Sequence, residues 1–412
     1  MGRMDHPGAE MRRAQGVTAL SLLVGYAGYY VCRSNSSVAA PLQIEEFGAQ
    51  GLDKEVLGEI ASLGVLCHAF GKLVTGVACD FGGGRPMFLL GLFGSVAATL
   101  AFGFGAGAGT FLLAWAANRL VQSMGWGALV KIASNRWSYR SHGRVLALLS
   151  LSFLFGDALA RYGLGTLIDA GFGWDGVFFA AASVLLSIGV VLAFTIRTSP
   201  TDLGLAEPEV HPGNLHGQRG GAEGRPASLG ALLGPCLRSG AFWLVASLSL
   251  GLTLIREAFN FWTPTDLVEG GGLSAGDAAR ASLLYPLFGG LSVLLTTWLS
   301  DRLSAGRRGG VMLAALVPLV GVLAAMGTPR TVDGPAVPLA LGGRTGSSTT
   351  AGLVDGAGYL GGTLSGWGVG RLAQGQGWNV VFLALAGIAL YTVFVAFACW
   401  RGREVGHGGP PR

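Results

Sequence analysis

Two arginine residues lie inside long apolar segments of this 412-residue chain. Arg33 belongs to an apolar run near residues 17–40, and Arg256 belongs to another near residues 241–265. An arginine in a membrane-spanning helix costs about 2.5 kcal/mol or more, so it marks a functional site by default. The planar forks of guanidinium groups match phosphate oxygens bidentately, and Lys72 adds a further cation. These residues predict a binding site for a phosphate-bearing anion.

Each of these cations has an alternative role, in which it pairs with a carboxylate or reaches the membrane interface. Arg33 has no carboxylate three or four residues away. Arg256 is followed by Glu257, but consecutive helix residues do not share a face, so we expect no pairing between them. We therefore assign anion binding to Arg33 and Arg256. Both roles stay open for Lys72, because lysine reaches an interface more easily.

The composition indicates that most of the chain lies outside water. Charged side chains make up 12% of the residues and hydrophobic ones 51%, the mean hydropathy is +0.53, and glycine occupies 70 positions. Disordered chains combine low hydrophobicity with high charge, and soluble domains carry about a quarter charged residues. Disorder is thereby excluded and a soluble enzyme is disfavoured. The class that fits is an all-α polytopic membrane protein.

Eleven apolar segments are long enough to cross a bilayer core of about 30 Å, which needs about 20 residues per helix. Their approximate bounds are 17–40, 56–79, 86–108, 110–133, 144–168, 174–196, 241–265, 281–300, 311–328, 346–370 and 378–400. A polar stretch rich in glycine and proline separates the sixth from the seventh. We assign residues 1–205 to one helical half, 206–240 to a linker, 241–400 to a second half and 401–412 to a tail.

The charges of the loops alternate from one side of the membrane to the other. The basic regions contain Arg3, Arg12, Arg13, Arg136, Arg140, Arg144, Arg302, Arg307 and Arg308, whereas the acidic loops contain Glu45, Glu46, Asp53, Glu55, Asp169 and Asp175. Loops rich in arginine and lysine stay on the cytoplasmic side. The N-terminus, the linker and the tail are therefore predicted to be cytoplasmic.

A short motif follows the second segment. Gly76, Asp80, Gly83 and Arg85 resemble the loop signature of the major facilitator superfamily, although two basic positions of that signature are absent. An aspartate beside a helix end and a nearby arginine can latch neighbouring helices. Asp80 and Arg85 are therefore candidates for coupling or gating.

Three more charged residues of the first half are candidates for coupling or gating. Asp157 and Arg161 stand four residues apart in the fifth segment, so they either form an intrahelical pair or contact the solute. Lys131 lies toward the predicted cytoplasmic end of the fourth segment.

Motifs spread over nearly the whole chain resemble the organophosphate:phosphate antiporters of that superfamily. They comprise Gly25 to Pro41, Gly71 to Gly76, Gln122 to Trp126, Trp262 to Thr265 and Gly356 to Gly362. The resemblance implies two six-helix halves that exchange a sugar phosphate or glycerol phosphate for inorganic phosphate by alternating access. It also implies that Arg33 and Arg256 hold the phosphate group, with Tyr29, Tyr30 and Lys72 near the same cavity.

The sequence departs from that family at positions that bear on the solute. Phe153 stands where the glycerol phosphate branch has a histidine. Phe261 stands at an acidic position of the seventh helix, with Asn260 beside it as a candidate binding residue. Substrate choice is therefore not carried over from a named branch. Two other functions stay open: a membrane sensor of phosphate esters without transport, and proton-coupled uptake of an organic anion with Asp157 as proton carrier.

The sequence does not support other classes of functional site. Its five cysteines form no CxxC pair and no cluster with histidine, so neither a disulfide framework nor a zinc site is predicted. His68 is expected to make a contact between helices. We expect no enzyme activity, no metal, no cofactor and no nucleic-acid partner. The expected protein is a monomer in the lipid bilayer of a plasma membrane (the inner membrane of a bacterial cell) or of an organelle.

The eleven segments are one fewer than the twelve helices that the resemblance implies. After the ninth segment, the apolar run 337–341 is far too short to cross about 30 Å at about 1.5 Å per residue. The tenth helix is therefore predicted to be truncated or missing, through a deletion or a faulty gene model. An odd number of spans would also place Arg401 and Arg403 outside, against the charge rule.

Overall fold

A computed structural model describes residues 8–197, 238, 240–302, 308–326 and 348–405. Its α-helices are α1 (Ala9–Phe47), α2 (Lys54–Gly82), α3 (Gly84–Gly103), α4 (Ala108–Arg136), α5 (Tyr139–Asp169), α6 (Trp174–Thr195), α7 (Gly240–Glu269), α8 (Ala275–Ser282), α9 (Leu284–Arg302), α10 (Arg308–Met326), α11 (Ser348–Gln376) and α12 (Trp378–Val405). Only Leu283 separates α8 from α9, so the two form one broken span. The described residues contain no β-strand, and the predicted all-α fold is confirmed.

Three of the described helices are long and apolar enough to cross a membrane by themselves. They are α3, α6 and residues Trp378–Ala398 of α12. Several of the others carry polar residues in the middle of their length, such as Arg33 in α1 and Asp157 in α5. Such helices avoid exposing these groups to lipid by turning them toward other helices or a cavity.

Short turns with specific caps set the ends of several helices. Asp53 caps α2 by accepting a hydrogen bond from the backbone N–H of Val56 at 3.0 Å. Ser274 caps α8 in the same way through the N–H of Asp277 at 3.1 Å. Between α2 and α3, Gly83 has a φ of 80°, which a residue with a Cβ rarely adopts. These turns return the chain sharply into the bundle.

Each half has its own packing. In the first half, α4 packs against α2 and α3, while α1 packs against α5 and α6. Phe102 stacks on Phe111 and Phe178 in this core, with ring centroids 4.7 and 4.2 Å apart. In the second half, α7 packs against α11 and α12, and α10 packs against α12.

The halves meet mainly where α2 packs against α11 and where α5 packs against α8 and α9. α2 and α11 run antiparallel, because the Ser62 hydroxyl donates to the Thr363 carbonyl oxygen at 2.5 Å and Gly58 lies against Gly366. A Cβ at Gly58 would overlap the carbonyl oxygen of Gly366. Glycine at this position therefore lets the two backbones touch.

We call the end of the bundle opposite to the start of α1 the far face. Ion pairs join the halves there, between Lys54 and Glu269 at 2.8 Å and between Arg280 and Asp169. Contacts between the halves continue inward to Lys72, whose Nζ lies 4.7 Å from the ring centre of Tyr359. The described part of the bundle is thus closed toward the far face.

The directions of the last helices bear on the predicted missing tenth helix. α10 begins near the end of α9 and runs toward the far face, and α11 also ends at the far face, beside the start of α2. α12 then starts beside Glu269, to which the Trp378 indole N–H donates at 2.8 Å, and runs back. The predicted gap falls on residues 327–347, which lie outside the described residues.

Candidate functional site

A cavity lies between the halves, where α1, α2, α4, α5, α7 and α11 approach one another. Its charged and amide-bearing lining residues are Arg33, Arg119, Arg161, Glu257 and Asn260. Three arginines against one carboxylate make this cavity a place that favours an anion.

Arg33 lines this cavity, and its neighbours fix its orientation. Its Nε donates to Oε1 of Gln122 at 3.0 Å, and a terminal nitrogen donates to the Tyr30 hydroxyl at 2.9 Å. Its Cζ also lies 4.5 Å from the centre of the Tyr30 ring, a cation–π distance. Gln122 is itself held, because its Nε2 donates to the Ser95 hydroxyl at 3.0 Å and to the Cys32 carbonyl oxygen at 3.2 Å. Arg33 is therefore preorganised at the cavity wall.

The structure places the other predicted residues of this region differently. Tyr30 contacts Arg33, as described. Tyr29 is buried inside the first half, where its hydroxyl donates to the Phe88 carbonyl oxygen at 2.6 Å. Lys72 lies over the ring of Tyr359 and so connects α2 with α11. Tyr29 and Lys72 are not among the residues that line the cavity.

Arg256 and Glu257 form an ion pair, which the sequence argument did not expect. A terminal nitrogen of Arg256 lies 3.0 Å from Oε1 of Glu257. The expectation was wrong because it considered only the directions of the Cβ atoms, whereas a long arginine side chain bends back to its neighbour. The Arg256 side chain is 52% exposed and lies outside the cavity lining, whereas Glu257 belongs to that lining.

Glu257 is the carboxylate around which the cations of the site are arranged. It lies within electrostatic range of the guanidinium groups of Arg256, Arg119 and Arg33. One carboxylate cannot neutralise three cations, so two positive charges of this group stay uncompensated.

Arg119 on α4 is the residue that the sequence argument missed. It is 4% exposed and lines the cavity, and its guanidinium group forms no hydrogen bond or ion pair with the described residues. The sequence could have indicated Arg119, because it lies in the middle of the fourth apolar segment. An arginine inside such a segment marks a functional site, which is the reason Arg33 was selected. The carbonyl oxygen of Arg119 lies 2.9 Å from Nδ1 of His68, which therefore makes a contact between α2 and α4.

Asp157 and Arg161 do form an intrahelical pair, and Arg161 also reaches the other half. Its Nε lies 3.1 Å from Oδ1 of Asp157, which also accepts a hydrogen bond from the Ser34 hydroxyl. Its other nitrogens donate to the Ser282 hydroxyl at 3.0 Å and to the carbonyl oxygen of Asn260 at 2.6 Å. The pair is buried and links α5 to α1, α7 and α8 at the cavity wall.

The remaining candidates for gating are Arg85, Lys131 and Asp80, of which Arg85 and Lys131 are not among the residues that line the cavity. Arg85 donates to the carbonyl oxygen of Ala193 at 2.7 Å, so it ties the start of α3 to the end of α6. Lys131 is half-buried on α4, and Asp80 lies in α2 with its side chain outside the described positions. Within the described part of the chain, no group of three His, Cys, Asp or Glu residues could hold a metal ion.

The chain is similar to known proteins over most of its length. The model of the Major Facilitator Superfamily matches residues 22–353. The chain is 26% identical to a probable hexose phosphate transport protein of Chlamydia trachomatis over 93% of this chain and 90% of the relative. It is 25% identical to the membrane sensor protein UhpC of Salmonella typhimurium over 89% of this chain and 87% of that protein.

The fold is also that of solved transporter structures. A point mutant of the peptide transporter POT, in complex with alafosfalin, superposes with a TM-score of 0.68 at 14% identity. The match covers 97% of this chain and 95% of that one.

Proposed function

Because this chain belongs to the Major Facilitator Superfamily and its relatives match the organophosphate:phosphate antiporters, we propose that it exchanges a phosphorylated organic solute for inorganic phosphate. The solute is of the sugar phosphate or glycerol phosphate class. The observation that carries this proposal is the cavity between the halves, where the guanidinium group of Arg33 is held by Gln122 and Tyr30 beside the Glu257–Arg256 pair. Guanidinium groups fixed in this way bind the oxygens of a phosphoryl group as paired hydrogen-bond donors.

Arg256 binds the phosphate group when this group replaces Glu257 as its partner. In the present arrangement its charge is satisfied by Glu257. A phosphate group that enters the cavity competes with this carboxylate for the same guanidinium group, which lies one residue away along α7. Arg33 in the first half and Arg256 in the second then share one anion.

Obligatory exchange follows from these charges. Without an anion, closure removes water from the uncompensated arginines Arg33 and Arg119 at the cavity wall, which is unfavourable. With a phosphoryl group bound, the charges are neutralised and the halves can rock past each other around the fixed site. The protein without a bound anion therefore changes conformation poorly. Each change between the two conformations then carries a phosphate group across the membrane.

The proposed orientation places the N-terminus and the linker in the cytoplasm of a multi-pass membrane protein. The contacts between the halves described above lie toward the far face. With this orientation the far face is the external one, and the cavity opens toward the cytoplasm.

Counterflow tests the proposal. Purified protein is reconstituted in liposomes preloaded with phosphate, and uptake of labelled phosphate is measured against a panel of sugar phosphates and glycerol phosphate. We expect uptake only when phosphate or a competing ester is inside. Uptake into liposomes without an internal phosphate compound would contradict strict exchange.

A sensor of phosphate esters is the second candidate, and the similarity to the membrane sensor protein favours it. In this role the same cavity binds the solute, but the conformational change signals to a partner. Binding of a phosphate ester to the purified protein without measurable flux in liposomes would support the sensor.

Proton-coupled uptake is tested in the same liposomes. In the structure the Asp157 carboxylate is engaged by Arg161 and Ser34. Uptake that a pH gradient drives without internal phosphate would favour symport.

A further inference from the structure

We propose that Arg119 binds the phosphoryl group together with Arg33 and that this pair makes the site selective for a dianion. The inference rests on the proposed function, because it names the charge class of the anion that the same cavity takes. Its starting point is a guanidinium group that is 4% exposed, lines the cavity and has no hydrogen-bonded or ion-paired partner among the described residues.

An arginine in this state is costly for the empty protein. Burying a charge without a partner costs several kcal/mol, and natural proteins keep such a group where something pairs with it. The Arg119 guanidinium lies at the wall of the cavity between the halves. An anion is the partner that these donors require.

The helix geometry places Arg119 next to Arg33. Arg119 and Gln122 are three residues apart on α4 and therefore lie on the same side of that helix. Gln122 accepts the hydrogen bond from Nε of Arg33 at 3.0 Å. The two guanidinium groups thus approach one stretch of the cavity wall, and both belong to the first half. Neither has to leave a carboxylate in order to bind an anion.

Charge pairing around the cavity sets the charge of the ligand. Arg161 is paired with Asp157, and Arg256 is paired with Glu257. This leaves Arg33 and Arg119 as cavity-lining arginines without an ion-paired carboxylate in the described part of the chain. A phosphate monoester carries about two negative charges at pH 7, because its second pKa is about 6. A phosphodiester carries one, so it would leave one buried cation uncompensated.

The competing explanation is that Arg119 serves only to balance the charge of Glu257, which lies within electrostatic range. The two explanations differ in what happens when both charges are removed. If Arg119 only balances Glu257, the double substitution Arg119→Gln with Glu257→Gln restores phosphate binding. If Arg119 touches the phosphoryl group, the double variant still binds phosphate weakly.

The experiment measures binding and exchange separately on the full chain. Binding of inorganic phosphate, methyl phosphate (a dianion above pH 7) and dimethyl phosphate (a monoanion) is titrated on the purified protein. Phosphate exchange is measured in liposomes with the same proteins. The variants are Arg119→Gln, Arg119→Lys and the double variant, and Arg197→Gln is the matched control, because Arg197 donates only to the carbonyl oxygen of Ile196 among described residues, away from the cavity.

We expect Arg119→Gln to weaken binding of phosphate and methyl phosphate by about tenfold to a hundredfold, as for the loss of a charged hydrogen bond. Binding of dimethyl phosphate should change little, so the preference for methyl phosphate over dimethyl phosphate becomes smaller. The variant Arg119→Lys should retain part of this preference. Equal binding of methyl phosphate by Arg119→Gln and the unmodified protein, or its recovery in the double variant, overturns the assignment of Arg119. Binding without exchange in the unmodified protein overturns antiport but leaves the Arg119 comparison intact, and no phosphate binding at all overturns both.

Discussion

A single guanidinium nitrogen of Arg161 on α5 donates to both oxygens of Asn260 on α7, at 2.6 Å to the backbone carbonyl and 2.9 Å to Oδ1. The same side chain holds Asp157 in its own helix and Ser282 in α8. One buried arginine therefore fastens the first half to two helices of the second, beside the cavity. Any rocking of the halves that opens the far face has to break this connection.

Substitution of Asp157 by asparagine should destabilise the protein. It leaves the charge of Arg161 buried without its ion-pair partner, and breaking a buried pair from one side costs about 3–5 kcal/mol. Thermal unfolding of the purified protein measures the effect, with Asp175→Asn at an exposed helix start as the control. Replacing both members, Asp157→Asn with Arg161→Gln, should recover part of the loss. Unchanged unfolding of the single variant would show that the pair contributes no stability.

The substitution Arg33→Lys should abolish phosphate exchange while the protein still folds. Lysine keeps the charge, but it cannot donate to Gln122 and Tyr30 and still present a planar fork to phosphate. Exchange in liposomes measures the result, and Arg197→Lys serves as the control away from the cavity. Normal exchange by Arg33→Lys would remove this residue from the binding site.

Substitution of Gly58 by alanine should loosen the closed far face. The added Cβ would overlap the carbonyl oxygen of Gly366, so α2 and α11 have to move apart. A cysteine at Ser62, with the native cysteines replaced, should then react faster with a membrane-impermeant thiol reagent. Gly163→Ala in α5 is the matched control, because its Cβ would meet no atom within 4 Å. Equal labelling in both variants would mean that this contact does not hold the face closed.

The substitution Glu257→Gln should lower the KM for phosphate several-fold. It removes the carboxylate that pairs with Arg256 and lies near Arg119 and Arg33, so the cavity attracts anions more strongly. Concentration dependence of phosphate exchange gives the KM, with Glu59→Gln on the exposed side of α2 as the control. A higher KM would show that Glu257 orients Arg256 for the ligand rather than competing with it.

Sequencing of the gene locus should reveal a longer product. The apolar run 337–341 is far too short for the tenth helix that the family resemblance implies, because a membrane-spanning helix needs about 20 residues. We expect about 25 additional residues between Gly327 and Arg344, a span length with its turns. A confirmed transcript of the present length would contradict a faulty gene model.

Much of the fold followed from the sequence, because hydropathy is a local property that each segment carries by itself. The apolar segments predicted the helices, and the rarity of an arginine such as Arg33 among apolar residues predicted the kind of ligand. The polar linker likewise indicated two halves. None of these inferences needs to know how one helix is rotated against another.

The tertiary structure decided which charges meet. The sequence proposed Arg33 with Arg256, whereas the structure pairs Arg256 with Glu257 and brings Arg119 to the cavity wall beside Arg33. It also turned the intrahelical pair of Asp157 and Arg161 into a link to Asn260. These partners depend on the rotation and approach of whole helices and on the reach of long side chains. Both are set by packing between segments far apart in the chain, where spacing along one helix gives no information.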